Sequence, residues 1–291
     1  MSYKRSVLIT GCSDGGLGAA LALEFHKAGF HVYATSRNPD KMKGLAAKGI
    51  DILALDVLSE ESISIVVKKL PSLDILVNNA GQGYTMPIAD LDVTDAKRIF
   101  DLNVWSYISV AQAFLPLIRK SSHGMIVNQT SVTSAVTVPF QGVYNASKAA
   151  IAMFSDTLRL EMESLGIQVV DLRTGNVLSN IGSNSQAQQR GLPHGSLYEP
   201  AREVMNKVLR GEGFAAVGWP AERWASEVVR ELQKNHPPKV IWKGANAWLV
   251  RIGTILPAGT LDGTARKMSK LDLVSEILKA EASLATGVSE L

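Results

Sequence analysis

The chain has a single cysteine, Cys12, in 291 residues, so it cannot close an internal disulfide. A protein without disulfides suits a reducing compartment. Long apolar runs are missing as well. No stretch reaches the roughly 18 uninterrupted apolar residues that a spanning helix needs. The nearest candidate, AWLVRIGTILPAG at 247–259, is broken by Arg251 and stopped by Pro257. The opening residues, MSYKRSVLITG, enter a short apolar run without the longer apolar core and cleavage site of a signal peptide. These absences lead us to expect a cytoplasmic protein with no membrane span, with a peripheral membrane contact left open.

Charge of one sign is scarce too. Lys and Arg number 30 against 27 Asp and Glu, a net +3. The basic residues are scattered and no basic run interleaves with aromatics, so nucleic acid is not an expected partner. A mild basic excess suits phosphate-bearing ligands. The five histidines (His26, His31, His123, His194, His236) and the lone cysteine form no ligand spacing, and no metal is expected. Cys12 reads as a small loop residue, not a nucleophile. Hydrophobic residues at 46% and charged residues at 20% are ordinary for a well-buried core. No repeat, low-complexity tract or linker marks a second domain. We expect one domain over 1–280: a core at 5–180, a loop and pocket region at 181–270, and a frayed tail at 281–291.

What is present is alternation. Short β-branched runs at 6–10, 31–35, 51–55, 75–78, 124–129 and 168–173 read as strands, with 239–242 as a last one. They are nearly continuous apolar runs, as expected when helices cover both faces of a parallel sheet. Helical patterns lie between them at 19–28, 60–69, 94–119, 144–165 and 221–235. This order predicts a Rossmann-like α/β fold, a doubly wound parallel sheet with helices on both faces. The polar stretch SNSQAQQRGLPHGS at 183–196 has no apolar period and reads as a long loop.

Several motifs fall at C-terminal strand ends, where open α/β sheets bind ligands. The first strand runs into TGCSDGGLG at 10–18 and then a helix. Glycines there let backbone approach a phosphate while helix N–H groups face the anion. The spacing is not G-x-G-x-x-G, and a tight turn made for packing is also glycine-rich. Arg37 closes the second strand, where an acid would accept the ribose 2′-OH of NAD and an Arg suits the 2′-phosphate of NADP. Lys41 is a possible support. Asp56 and Val57 close the third strand; Asn78, Asn79, Ala80 and Gly81 close the fourth. Tyr144 and Lys148 lie four apart on one helix face. Ser131 sits just past the fifth strand, and Asn103 lies in the long helix after the fourth. Singly, each is more often structural, but the set is hard to assign to packing alone.

With these residues in place, the chain resembles the short-chain dehydrogenase/reductase family over roughly residues 5–180. The family's Gly-rich cofactor loop corresponds to residues 10–18, its N-N-A-G stretch to 78–81 and its Y-x-x-x-K pair to Tyr144 and Lys148. Its catalytic Ser and Asn correspond to Ser131 and Asn103. The resemblance implies an NADP(H) cofactor and hydride transfer between nicotinamide and a carbonyl or carbinol carbon. It implies cofactor contacts from Gly11, Ser13, Gly16, Leu17, Gly18, Arg37, Asp56, Val57, Asn79, Ala80, Gly81, Tyr144 and Lys148. Thr174, Gly175, Val177 and Ser179 complete that set. Tyr144 would be the acid–base, with Lys148 lowering its pKa from near 10. Ser131 would hold the substrate oxygen, and Asn103 a proton-relay water. There are two departures: the Gly loop has one extra residue, and Thr174 replaces the family's usual Pro.

For the substrate we expect an apolar carbonyl or alcohol. The pocket walls would come from 179–270, including Met205, Leu209, Phe214, Trp219, Trp224, Trp248, Leu249, Ile252, Ile255 and Leu256, with the 183–196 loop as a lid. The loop and C-terminal region resemble the branch of 1-acyldihydroxyacetone-phosphate reductases and hydroxysteroid dehydrogenases. That implies a ketone on a lipid-like or polycyclic molecule such as acyl-glycerone phosphate, or a terpenoid or polyketide intermediate. The rival of another class is a non-redox binding or cyclisation protein, whose sign would be a missing Tyr, Lys or Ser. A homodimer or homotetramer is expected through the helices holding Asn103 and Tyr144.

Overall fold

The protein is described here from a computed structural model covering residues 4–179, 191–212 and 218–286. Seven strands form one parallel sheet: β1 (Ser6–Thr10), β2 (His31–Ser36), β3 (Asp51–Ala54), β4 (Ile75–Asn78), β5 (Met125–Gln129), β6 (Gln168–Thr174) and β7 (Val240–Lys243). Their order is β3-β2-β1-β4-β5-β6-β7, so the winding reverses between β1 and β4. The helices are α1 (Leu17–Lys27), α2 (Lys43–Ala46), α3 (Glu60–Lys69), α4 (Val93–Phe100), α5 (Ser106–Ile118), α6 (Gly142–Glu163), α7 (Arg202–Leu209), α8 (Ala221–Leu232), α9 (Ala247–Gly253), α10 (Asp262–Met268) and α11 (Leu271–Thr286). The expected doubly wound fold is the one observed.

The two-residue period of a strand sorts the apolar runs onto two faces. Leu8, Leu76, Ile126 and Val169 are register partners across β1, β4, β5 and β6. All four face the core shared with α3 and α5. One position on, Ile9, Val77, Val127 and Val170 also pair across the four strands. These face the other core, against α1 and α8. Each of these side chains is at most 4% exposed. Burying such a side chain contributes about 1.5–3 kcal/mol, so both faces must be covered. The helix ends follow local chemistry. Ser59 caps α3 by accepting the Ser62 N–H, with Glu60 and Glu61 in the first turn and Lys68 and Lys69 in the last.

Three differences from the sequence reading have physical reasons. The helix expected at 94–119 is interrupted at Asp101–Trp105 by a π-helical segment that holds Asn103. The short α2, α7, α9 and α10 span at most eight residues each, too few for a 3.6-residue period to register. The tail expected to fray from 281 continues α11 to Thr286, its residues Ala, Glu and Leu being strong helix formers even when exposed.

Trp224 is fully buried in the core between α8 and α1, with Phe25 and Val228. It is not a pocket wall. Trp224→Ala leaves a large cavity there and lowers unfolding free energy by about 3–5 kcal/mol in a urea titration. A loss below about 1 kcal/mol would mean that α8 does not depend on this anchor.

Candidate active site

The site is assembled at the C-terminal ends of β1, β4, β5 and β6. Two loops are sewn together where the winding reverses. The Thr10 hydroxyl accepts the backbone N–H of Asn79 and of Ala80, both at 2.9 Å. The Asn79 side chain donates back to the Thr10 carbonyl at 2.6 Å and to that of Gly11 at 3.1 Å. Gly11 has a φ of +74°, and a Cβ there would lie 2.8 Å from the Ala80 Cα. A Cβ on Gly18 would lie 2.6 Å from the Gly11 oxygen. Only glycine fits either position. Leu17 opens α1, with Gly16 as its cap and the Gly16 N–H on the Ser13 carbonyl at 3.0 Å. The loop's surplus length is taken up outward, where Asp14 accepts the Gly44 N–H at 3.0 Å. Cys12 is buried beneath the loop, and burial pushes its thiol up to about 12.

The other expected cofactor contacts distribute unevenly. Arg37 and Lys41 are exposed just past β2. The Asp56 carboxylate accepts the Leu58 N–H at 3.0 Å. Val57 is buried in the core, so its side chain faces away from the crevice. Gly175 is pinned against the segment after β7, for a Cβ there would meet the Ala245 oxygen at 2.4 Å. Val177 also packs into the core. Four buried polar atoms near the strand ends have no hydrogen-bond partner among the described residues: Gln129 Oε1, Thr133 Oγ1, Thr174 Oγ1 and Ser179 Oγ. A glycine cradle beside orphaned polar atoms fits a dinucleotide, which would satisfy them.

Ser131, Tyr144 and Lys148 come together at the end of β5. Ser131 follows the strand and accepts the Thr133 N–H at 3.1 Å. Tyr144 and Lys148 lie on the first turns of α6. Lys148 is 4% exposed and its Nζ donates to the Gln129 carbonyl at 2.9 Å. The ammonium lies 5.9 Å from the Tyr144 ring centre and 5.3 Å from that of Tyr107. Tyr107 donates its hydroxyl to the same Gln129 carbonyl at 3.1 Å. Asn103 is fully buried and its amide is engaged. It accepts the Gln82 N–H and donates to the Gln82 carbonyl, both at 2.9 Å, and to the Ser147 hydroxyl at 3.1 Å. The Asn103 side chain thus ties the residue after the N-N-A-G turn to α6.

Burial controls the charges. It raises the Tyr144 pKa, against a hydrogen bond from Ser131 that favours the phenolate. The expected lowering of this pKa does not occur, because desolvation outweighs every favourable contact. Burial also lowers Lys148 to about 8, offset in part by the carboxylate of Asp171. Asp171 is itself buried and raised, pulled back by Thr130 and Arg173. Arg173 donates to it at 2.6 Å while its guanidinium stacks 4.8 Å over Trp242. Tyr107, Thr130, Asp171 and Arg173 escaped the sequence reading. The available signal was an acid inside an apolar strand, QVVDLRT, since a buried charge needs partners.

The expected pocket divides. Met205 and Leu209 are fully buried in a third cluster with Phe140 and Val143, against which Tyr144 packs. Trp219 packs on the core, with Arg223 4.0 Å above its ring. Trp248, Leu249, Ile252, Ile255 and Leu256 are exposed. Phe214 and most of the expected lid lie outside the described residues. The lid's described end is anchored, with Leu192 buried and Ser196 donating to Asp90 at 2.7 Å.

A Rossmann-type sheet with a Ser-Tyr-Lys cluster beside a glycine cradle defines an oxidoreductase acting on CH–OH or C=O groups. A family model for short chain dehydrogenase matches residues 5–190, and the chain belongs to that family. It is 51% identical over 277 residues to short-chain dehydrogenase/reductase GME11361 of Pestalotiopsis microspora, covering 95% of this chain and 98% of the relative. It is 36% identical to an NADPH-dependent 1-acyldihydroxyacetone phosphate reductase of Schizosaccharomyces pombe, over 93% of this chain and 96% of that one. A Burkholderia cenocepacia short chain dehydrogenase, solved in complex with NADP, superposes with a TM-score of 0.71 at 19% identity, covering 90% and 97% of the two chains.

The Asp171 carboxylate raises the Lys148 pKa, so Asp171→Asn lowers it. In the cofactor-free protein, NMR titration of the Lys148 ε-methylene has its midpoint near 8, the ammonium present below it and lost above. In Asp171→Asn the midpoint moves to lower pH. An unmoved midpoint would show that the charge of Asp171 does not reach the lysine.

Proposed function

We propose that the protein is an NADP(H)-dependent oxidoreductase that transfers hydride between nicotinamide and the ketone or secondary alcohol carbon of an apolar substrate. The convergence of Ser131, Tyr144 and Lys148 beside the glycine cradle carries this reading. Bound there, NADP(H) supplies or accepts the hydride. In reduction Tyr144 gives its phenolic proton to the substrate oxygen. The phenol is neutral at pH 7, the form a proton donor needs, and burial moves it further from ionising. The Lys148 ammonium favours the phenolate left behind. The Ser131 hydroxyl hydrogen-bonds the substrate oxygen as its charge develops. Asn103 acts as a positioning residue through Gln82 and Ser147.

Arg37 supports NADP over NAD, since its guanidinium can fork onto a 2′-phosphate from the end of β2. The NADPH-dependent relative and the NADP-bound structure support the same choice. The apolar cluster against the Tyr144 ring, with Met86, Phe140 and Val143, supports an apolar substrate. The name of the Schizosaccharomyces relative makes acyl-glycerone phosphate the first substrate to test, with polycyclic ketones beside it. Exposed Trp105, Met153, Phe154 and Leu160 near α5 and on α6 support a homodimer or homotetramer built through these helices.

Tyr144→Phe keeps NADPH binding and lowers turnover by about 10²- to 10⁴-fold, the usual worth of a general acid. Arg37→Asp removes an NADPH preference of roughly 10- to 150-fold, from a charge-assisted contact of about 1.5–3 kcal/mol. NADPH consumption is followed on acyl-glycerone phosphate, steroid ketones, retinal and small sugars. Faster turnover of a sugar than of every apolar ketone overturns the substrate class, and equal NADH and NADPH affinity overturns the cofactor reading.

A further inference from the structure

Between Glu231 and Asp262 the chain carries no acidic residue; of its cations, Lys234 and Lys243 pair with acids of α8, while Lys239 and Arg251 form no ion pair among the described residues. The middle of this interval is both apolar and exposed. α9 rests on the body through Ala247, with Val250 and Gly253 partly buried. At about 100° per residue, Trp248, Ile252 and Leu249 fall on the opposite arc, with Arg251 at its edge. Trp248 is 66% exposed, and Ile255, just past the helix, is 81% exposed. Leu249, Ile252 and Leu256 are exposed with them. A surface helix normally turns its polar side outward, and here that pattern is inverted. Apolar surface of this extent on a folded protein marks an interaction site.

We propose that this face docks on the surface of an anionic phospholipid bilayer. Its chemistry is that of an interfacial segment: a tryptophan and branched aliphatics on the outer arc, an arginine at the rim, and no acid. Insertion of the apolar side chains is driven by their removal from water, while Arg251 meets lipid phosphate. A second copy seated face to face would set Arg251 against its own counterpart. Among the described residues no helix is long and apolar enough to cross a membrane, so the contact is peripheral. α9 lies against β7 and the Val132–Ser134 turn, next to Ser131, so the docked face adjoins the candidate site. The proposal goes beyond the hydride-transfer reading and does not depend on the substrate.

The test is flotation of the full chain with vesicles of phosphatidylcholine alone or mixed with phosphatidylserine, at low and at physiological salt. The chain floats with the serine-containing vesicles, less so with phosphatidylcholine alone, and salt releases part of it. Ile255→Asp lowers the bound-to-free ratio about tenfold at this exposed position. Arg251→Glu removes the preference for the anionic vesicles. Both variants keep the parent melting temperature, which separates lost docking from lost folding. Absence of flotation, or flotation unchanged in Ile255→Asp, overturns the proposal. So does a solution dimer that Ile255→Asp dissociates while no vesicle is bound, because the face would then belong to a second copy.

Discussion

The Thr10 hydroxyl accepts two backbone N–H groups from the loop after β4, and this tie sits where the winding of the sheet reverses. A doubly wound sheet opens at that point, since neighbouring crossovers leave on opposite faces. Without a clasp the two loop ends would be free to separate. Thr10 and Asn79 close the gap with four hydrogen bonds across two loops. The close approach they enforce is what bars a side chain from Gly11 and Gly18. The cradle is therefore a consequence of the tie, not a separate feature. Asn103 repeats the device one loop further on, fixing Gln82 to α6 through Ser147.

The second constraint is a buried ammonium. Taking a lysine out of water is costly unless its charge is met. Lys148 has the Gln129 carbonyl, the faces of two tyrosines and the nearby carboxylate of Asp171. Asp171 is in turn held by Thr130 and by an arginine whose other side is covered by Trp242. Lys148, Asp171 and Arg173 thus alternate in sign, and the last stacks on Trp242 of the edge strand β7. The same low dielectric that penalises Lys148 strengthens its pull on any anion formed at Tyr144. Burial therefore does two things at once: it moves the phenol further from ionising at rest and strengthens the stabilisation of its conjugate base.

The strands were legible because a parallel sheet covered on both faces needs continuous apolar runs, and those runs are local in sequence. The Tyr144–Lys148 pair was legible for a similar reason, both residues being fixed by one helical turn. What escaped depends on contacts far apart in the chain. Asp171 reaches the site through register pairing of β6 with β5, and Tyr107 through the carbonyl of Gln129 and the ammonium of Lys148. The hydrogen bonds that engage the Asn103 amide come from residues 21 and 44 positions away. The direction of the Tyr144 shift could not be read from a spacing either, because desolvation is set by everything packed around the phenol. The apolar residues after 200 were visible as a group. Composition alone could not separate Met205 and Trp224, which are core, from Trp248 and Ile255, which face solvent.

That division shows how the C-terminal segment is joined to the rest. The Gly175 N–H bonds the Lys243 carbonyl, and a side chain on Gly175 would collide with Ala245 and Ala247. Asn176 and Ala245 are joined by an antiparallel bridge. The first turn of α9 is consequently locked to the turn after Thr174, the last residue of β6, whose hydroxyl has no partner among the described residues. α9 has two unlike faces separated by the thickness of one helix. The inner one is fixed by glycine-tight backbone contacts beside the candidate cofactor crevice; the outer one is apolar and unconstrained.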